Sequence, residues 1–70
     1  MEENLILAKI GAEVIKLRML NRMTQNDLAA KCNFEKSDME KIEAGETDVT
    51  ISALIKICNV FDVDFKVLLN

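Results

Sequence analysis

The sequence predicts a small all-α domain. Its 70 residues include no proline and only two glycines, and half of them are apolar. Helix-forming residues dominate, and the alternation of apolar and polar residues that marks strands is absent. A chain of this length supports one hydrophobic core. We therefore expect residues 1–70 to form a single, compact bundle of five short helices with brief connections.

The first helix is predicted over about residues 5–21, where apolar residues recur at helical spacing. Gly11 interrupts it, at a cost of about 1 kcal/mol relative to alanine unless a neighbour packs closely there. Arg18 lies at the edge of the apolar face and is either a solvated charge or half of a partly buried ion pair. The predicted apolar face consists of Ile6, Ile10, Val14 and Leu17, widened by Leu7, Met19 and Leu20.

Two short helices joined by a tight turn are predicted within residues 24–45. Thr24 is a suitable N-cap, and Asp27 three residues later completes a capping box. Asn33 is expected to end the first of these helices in the left-handed conformation, and Gly45 to end the second, which starts at about Lys36. The predicted inward residues are Leu28, Ala29, Cys32, Met39 and Ile42, with Phe34 in the turn.

The outward face of the second of these helices carries one polar group: Lys36, Ser37, Glu40 and Lys41. Lys36 and Glu40 are i,i+4 neighbours and can form a local ion pair. Taken alone, this pattern is more typical of an ordinary solvated face than of a binding surface.

A fourth helix is predicted near residue 51, capped by Thr50 or Ser52, and Asp64 can cap a last short helix. The inward residues predicted for the fourth helix are Ile51, Leu54, Ile55, Cys58 and Phe61. The apolar residues that follow exceed what one short helix can bury. Residues 61–70 are therefore a candidate dimerisation end, the alternative being that these side chains pack internally or are merely exposed.

The composition excludes several classes of protein. With no histidine, no serine or cysteine beside a plausible base, and no glycine-rich phosphate loop, the chain offers no catalytic site. Cys32 and Cys58 lack a CxxC spacing, so we expect buried free thiols, no metal and no cofactor; a disulfide is the remote alternative. No signal peptide or membrane span is recognisable, which predicts a cytoplasmic protein that makes no membrane contact.

The net charge of −3 argues against indiscriminate nucleic-acid binding, because affinity for phosphate depends on basic side chains. This net charge is compatible with a local basic patch on an acidic domain. No aromatic stacking platform is present for single-stranded nucleic acid.

Most of the chain resembles the Cro/C1-type helix-turn-helix family, also called the xenobiotic-response-element family. The segments that carry the resemblance are IGAEVIKLR (10–18), MTQNDLA (23–29), MEKIEAG (39–45) and ISALIKICNVFDVDFKVLL (51–69). The resemblance implies a lambda-repressor-like fold and a transcriptional regulator that reads the major groove of double-stranded DNA with its third helix. It also implies a homodimer, with Phe65, Val67 and Leu69 as the candidate dimerisation residues.

The resemblance further assigns roles to single residues. Arg18 and Glu43 match an ion pair between the first and third helices. Thr24 and Gln25 match the phosphate-contacting start of the second helix. Positions that reach base edges in the family are occupied here by Lys36, Ser37 and Lys41, with Glu40 among them.

The sequence departs from the family pattern at several acidic positions. Glu35 replaces the family's serine cap, Glu46 and Asp48 follow Gly45, and Asp38 and Glu40 add negative charge to the third helix. These departures favour the alternative function, an antitoxin-like or adaptor module that binds a protein partner through the same fold.

Overall fold

The computed structural model describes the backbone of residues 2–69 and the side chains from residue 4. Four α-helices and one short 3-10 helix follow one another, and the described residues contain no strand. The α-helices are α1 (Glu2–Leu20), α2 (Gln25–Cys32), α3 (Lys36–Ala44) and α4 (Ile51–Phe61), and the C-terminal 3-10 helix is Phe65–Leu68. The all-α prediction is confirmed.

The predicted count of five α-helices is wrong by one. The last element spans four residues, a 3-10 helix that Asp64 caps by accepting a hydrogen bond from the backbone N–H of Lys66. A segment this short offers too few hydrogen bonds to offset the cost of starting an α-helix, whereas a 3-10 turn closes with three residues.

The helix ends follow the predicted turn chemistry. Thr24 and Asp27 form the capping box of α2, and Thr50, rather than Ser52, caps α4. Asn33 and Gly45 both adopt the left-handed conformation that ends α2 and α3. These local signals confirm the boundaries of both helices of the helix-turn-helix unit.

One apolar core joins all the elements. Its fully buried members include Val14 on α1, Leu28 on α2, Met39 on α3, Ile57 on α4 and Leu68 on the 3-10 helix. Each lies on the face that its element turns toward the others. The apolar faces of the helices are therefore buried against one another. Phe34, in the turn between α2 and α3, packs against the edge of this core.

The predicted inward face of α4 is partly wrong. Ile51 and Ile55 are 66% and 46% exposed, whereas Ile57, which the prediction omitted, is fully buried. Because α4 is apolar on more than one side, periodicity alone leaves its orientation undecided. Packing against α2 and the 3-10 helix selects the face that carries Leu54, Ile57 and Cys58.

The predicted apolar face of α1 is likewise too wide. Ile6, Met19 and Leu20 are exposed, and among the described side chains of this helix only Ile10 and Val14 are buried apolar residues.

The close crossing of α1 and α3 depends on Gly11. A Cβ atom at this position would lie 2.5 Å from the backbone oxygen of Glu43 and 2.7 Å from that of Ile42. Glycine is therefore required for the approach that brings the end of α3 against α1.

The two cysteines are buried free thiols, in agreement with the sequence-based expectation. Burial raises the pKa of both Cys32 and Cys58 above the ordinary value for a thiol. A raised pKa leaves the unreactive thiol form dominant at neutral pH. None of the described helices is both long and apolar enough to cross a membrane.

Candidate nucleic-acid interface

The start of α2 forms one side of a polar hollow. Its walls come from the end of α1, the start of α2 and the first residue of α3, and it is lined by Arg18, Met23, Thr24, Gln25, Asn26 and Lys36. The hollow thus brings together three residues predicted to contact DNA: Thr24, Gln25 and Lys36. A lysine opposite the N-terminus of a helix combines a cationic side chain with free backbone N–H groups, an arrangement suited to a phosphate.

A network of three side chains fixes the position of α3 behind this hollow. The Arg18 guanidinium donates two hydrogen bonds to the Glu43 carboxylate, from Nε at 2.7 Å and from an Nη at 3.1 Å. Gln25 donates from Nε2 to the same carboxylate at 2.9 Å. Glu43 therefore links α1, α2 and α3, and its side chain is only 3% exposed.

Arg18 also donates to the backbone oxygen of Met23 at 3.0 Å. This bond ties the guanidinium to the segment between α1 and α2. The structure thus resolves the two alternatives for Arg18: it is half of a partly buried ion pair, with 17% of its side chain exposed. Because its guanidinium is hydrogen-bonded to Glu43 and to Met23, Arg18 supports the wall of the hollow and is not a free cation.

Thr24 holds the first turn of α2 in a closed capping box. The backbone N–H of Asp27 donates to the Thr24 hydroxyl at 3.0 Å, and the backbone N–H of Thr24 donates to the Asp27 carboxylate at 2.9 Å. The hydrogen bonds from Thr24 lower the pKa of Asp27 below its ordinary value. The first turn of α2 is therefore closed by two reciprocal hydrogen bonds within the chain.

The outward face of α3 is free of internal partners. Lys36, Ser37, Glu40 and Lys41 are all exposed, and among the described residues none of their side chains forms an ion pair or a hydrogen bond. The expected local ion pair between Lys36 and Glu40 is thus not formed. Four polar groups remain available to an external partner.

A second hollow lies between α3 and the start of α4. Its volume is about 260 Å³, and its lining includes Lys41 together with the acidic residues Asp38 and Asp48. The charged residues of this lining are two acidic and one basic, whereas those of the hollow at the start of α2 are the basic Arg18 and Lys36. The predicted residues are therefore divided: Lys36 joins Thr24 and Gln25, while Lys41 lies beside two carboxylates.

Glu35 precedes α3 in the N-cap position and forms no side-chain cap. The serine that the resemblance leads one to expect would accept a hydrogen bond here. The first N–H groups of α3 consequently lack a side-chain acceptor from this residue. The negative charge of Glu35 interacts favourably with the positive end of the helix dipole.

One polar residue that lines the hollow escaped the sequence analysis. Asn26 lines it as the second residue of α2, and its amide was not distinguished by any motif. Arg22 ends α1 with φ 56°, a left-handed conformation that arginine seldom adopts.

The predicted dimerisation residues lie on the C-terminal 3-10 helix and just after it. Phe65 and Val67 are half-buried, and Leu69 is 51% exposed. Leu68, between them, belongs to the core. The apolar surface at this end is therefore smaller than the sequence suggested, and it adjoins α4, with its exposed Ile51 and Ile55.

The family described as "Cro/C1-type HTH DNA-binding domain" matches residues 14–70. The wild-type restriction-modification controller protein C.Esp1396I is 31% identical, with a TM-score of 0.81 over 90% of this chain and 86% of that one. A search of the curated proteins gave no match.

Two further structures share the fold. The controller protein C.AhdI from Aeromonas hydrophila has a TM-score of 0.84 at 24% identity, over 89% of this chain and 94% of that one. An HTH_3 family transcriptional regulator from Vibrio cholerae has a TM-score of 0.86 at 23% identity, over 94% of this chain but 37% of that one.

Proposed function

This chain belongs to the Cro/C1-type helix-turn-helix DNA-binding domain family, and from that premise we propose that it is a sequence-specific transcriptional regulator. It binds double-stranded DNA as a homodimer, with α3 in the major groove and residues 1–70 acting as one domain. The observation that carries the proposal is the hollow shared by the start of α2 and Lys36, beside an outward face of α3 without internal partners. The likeness to a restriction-modification controller protein favours a regulatory role.

The hollow at the start of α2 supplies the contacts to the DNA backbone. Thr24, Gln25 and Lys36 converge there, and the donors in this group match phosphate oxygens. Gln25 uses one amide N–H on Glu43 and retains a second N–H for an external acceptor. Because Glu43 anchors Gln25, a phosphate held by this amide sets the depth at which α3 enters the groove.

The outward face of α3 supplies the base contacts. Lys36 and Lys41 can donate to the O6 and N7 atoms of guanine, and Ser37 can serve any base. These residues are exposed along one helix that the Arg18–Glu43 pair holds against the rest of the domain. A fixed helix with free polar side chains is what direct readout requires.

Selection from a library of randomised duplexes at low salt tests the proposal. The parent protein is expected to enrich one duplex family, with half-sites about one helical turn apart. Lys41→Ala should relax the preference at one base position, whereas Gln25→Ala should weaken all sites alike. Lys16→Ala, at an exposed lysine on α1, is the control and should change neither. The absence of any enriched duplex at micromolar protein contradicts the proposal.

The homodimer would form through the C-terminal end. Leu69 is exposed there, and Ile51 and Ile55 are exposed on α4, the helix against which the 3-10 helix packs. Burial of these side chains against a second copy would remove the largest apolar groups of this end from water. A two-fold dimer also presents two copies of α3 to one face of DNA.

An interaction module is the second candidate, and the acidic surface favours it. Glu35, Asp38 and Glu46 are exposed around α3, where they repel phosphates. Under this alternative, the same face binds a basic protein partner. Capture of a stoichiometric protein partner from native lysate, unchanged by nuclease treatment, together with no enriched duplex, supports the alternative over DNA binding.

A further inference from the structure

We propose that Glu40 reads a cytosine in the major groove, so that each operator half-site carries a C·G pair opposite this residue. The inference rests on the proposed function, since it names part of the sequence that α3 recognises. It gives a role to the negative charge that lies among the reading residues, where a carboxylate otherwise only weakens binding.

In the proposed complex, Glu40 lies at the level of the base edges. It lies one turn after Lys36, or about 6 Å further along the helix axis. Lys36 lines the hollow at the start of α2, where the proposed complex holds a DNA phosphate. The height of Lys36 on α3 therefore corresponds to the DNA backbone. Glu40, further along the same exposed side, lies beyond that level and between Ser37 and Lys41 in the chain.

The carboxylate of Glu40 has no partner among the described residues. It is exposed and forms neither an ion pair nor a hydrogen bond there. Glu43 and Asp27 differ, since Glu43 is buried and bonded to Arg18 and Asp27 is bonded to Thr24. Glu35, Asp38 and Glu46 are exposed like Glu40, but none of them lies among the proposed reading residues Lys36, Ser37 and Lys41 on the outward face of α3. Glu40 is therefore free to accept hydrogen bonds from outside the domain.

The chemistry of the groove selects one base. An ionised carboxylate only accepts hydrogen bonds, and the major groove offers donors on cytosine N4 and adenine N6. On adenine the neighbouring N7 is an acceptor and repels a carboxylate, whereas cytosine has no acceptor beside N4 in this groove. The paired guanine presents O6 and N7, which suit a lysine such as Lys41, the residue after Glu40. A C·G pair thus satisfies Glu40 and a neighbouring lysine together.

The test is duplex selection followed by affinity measurement with the full chain and matched variants. Glutamine prefers adenine, because its amide both donates to N7 and accepts from N6. Glu40→Gln should therefore change the preference at one position of each half-site from C to A, by about tenfold in relative affinity. Glu40→Ala should lose the preference at that position only.

Glu46→Gln is the control for charge. It removes the same negative charge from an exposed site just after α3. It should raise affinity for all duplexes by a similar factor and leave the selected sequence unchanged. Thermal unfolding followed by circular dichroism establishes that each variant is folded; both sites are exposed, so no loss is expected.

The outcomes separate the inference from the proposed function. If the parent protein enriches a duplex family but Glu40→Gln and Glu40→Ala keep the same base preferences, the inference is overturned and DNA binding stands. If the parent protein enriches no duplex, both the proposed function and this inference are contradicted.

Discussion

Glu43 is the residue on which the geometry of the proposed interface depends most. It accepts hydrogen bonds from Arg18 on α1 and from Gln25 on α2, while itself belonging to α3. One carboxylate thereby fixes the relative positions of three helices. A buried charge of this kind is tolerated because its partners satisfy it, and it specifies orientation more than it adds stability.

Glu43→Ala is expected to lower the free energy of unfolding by about 2 kcal/mol, because Arg18 loses its ionic partner inside the domain. The value lies below that for a fully buried pair, since 17% of the Arg18 side chain is exposed. Chemical denaturation measures the change. Glu46→Ala is the control, at an exposed site with no partner among the described residues, and a comparable loss there contradicts the assignment.

Gly11→Ala is expected to destabilise the domain by about 2 kcal/mol through overpacking. The new Cβ would lie 2.5 Å from the backbone oxygen of Glu43, so α1 and α3 must separate. Helix propensity alone predicts the opposite sign, a gain of about 1 kcal/mol. Thermal unfolding decides between the two. Ala12→Gly, at the next and exposed position, calibrates the propensity effect in the same helix.

At the scale of the element, the chain ends its helices with left-handed residues that are mostly not glycine. Arg22, Asn33 and Asp62 have φ values of 56°, 59° and 54°, and only Gly45 is the residue that suits this conformation best. Asparagine and aspartate tolerate it through local hydrogen bonding, whereas arginine gains no such compensation. The end of α1 is therefore the least favourable of these four ends.

Arg22→Gly is expected to stabilise the domain by about 1 kcal/mol, because glycine adopts a positive φ without steric cost. Asn33→Gly is the matched comparison. It should change the free energy of unfolding by only a few tenths of a kcal/mol, because asparagine already tolerates the conformation. Urea denaturation of the two variants measures the difference. If Arg22→Gly stabilises the domain no more than Asn33→Gly does, arginine is no less suited to this conformation than asparagine, and the assignment is wrong.

At the scale of the whole molecule, the large exposed apolar side chains of the described residues fall into two groups. Leu5, Ile6, Met19 and Leu20 lie toward the two ends of α1, whereas Ile51, Ile55 and Leu69 lie on α4 and after the 3-10 helix. The second group lies on two elements that pack against each other. It is therefore the better basis for a self-complementary surface.

Leu69→Glu is expected to weaken self-association by about tenfold or more, because two copies of a buried leucine become two like charges near the two-fold axis. Sedimentation velocity over a concentration series measures the change. Leu5→Glu, an equally apolar and exposed site on α1, is the control and should leave the association unchanged. A reversed pattern would place the dimer interface on α1.

Local chemistry alone was enough to predict the helix-turn-helix unit. The capping box at Thr24 and the left-handed residues Asn33 and Gly45 each depend on side chains within a few positions, so the bounds of α2 and α3 follow from adjacent residues. The free thiols follow equally from the spacing of the two cysteines and the absence of histidine.

Only the tertiary structure decided which apolar face of α4 is buried, because that choice depends on the neighbours that helix meets. It also decided that Lys36 shares a hollow with Thr24 and Gln25 while Lys41 lies beside Asp38. These residues are distant in the chain or lie on different sides of one helix, and nothing local fixes their relative positions. The sequence by itself thus determined the elements and the family, and the packing of α1 on α3 through Gly11 determined how the proposed reading surface is assembled.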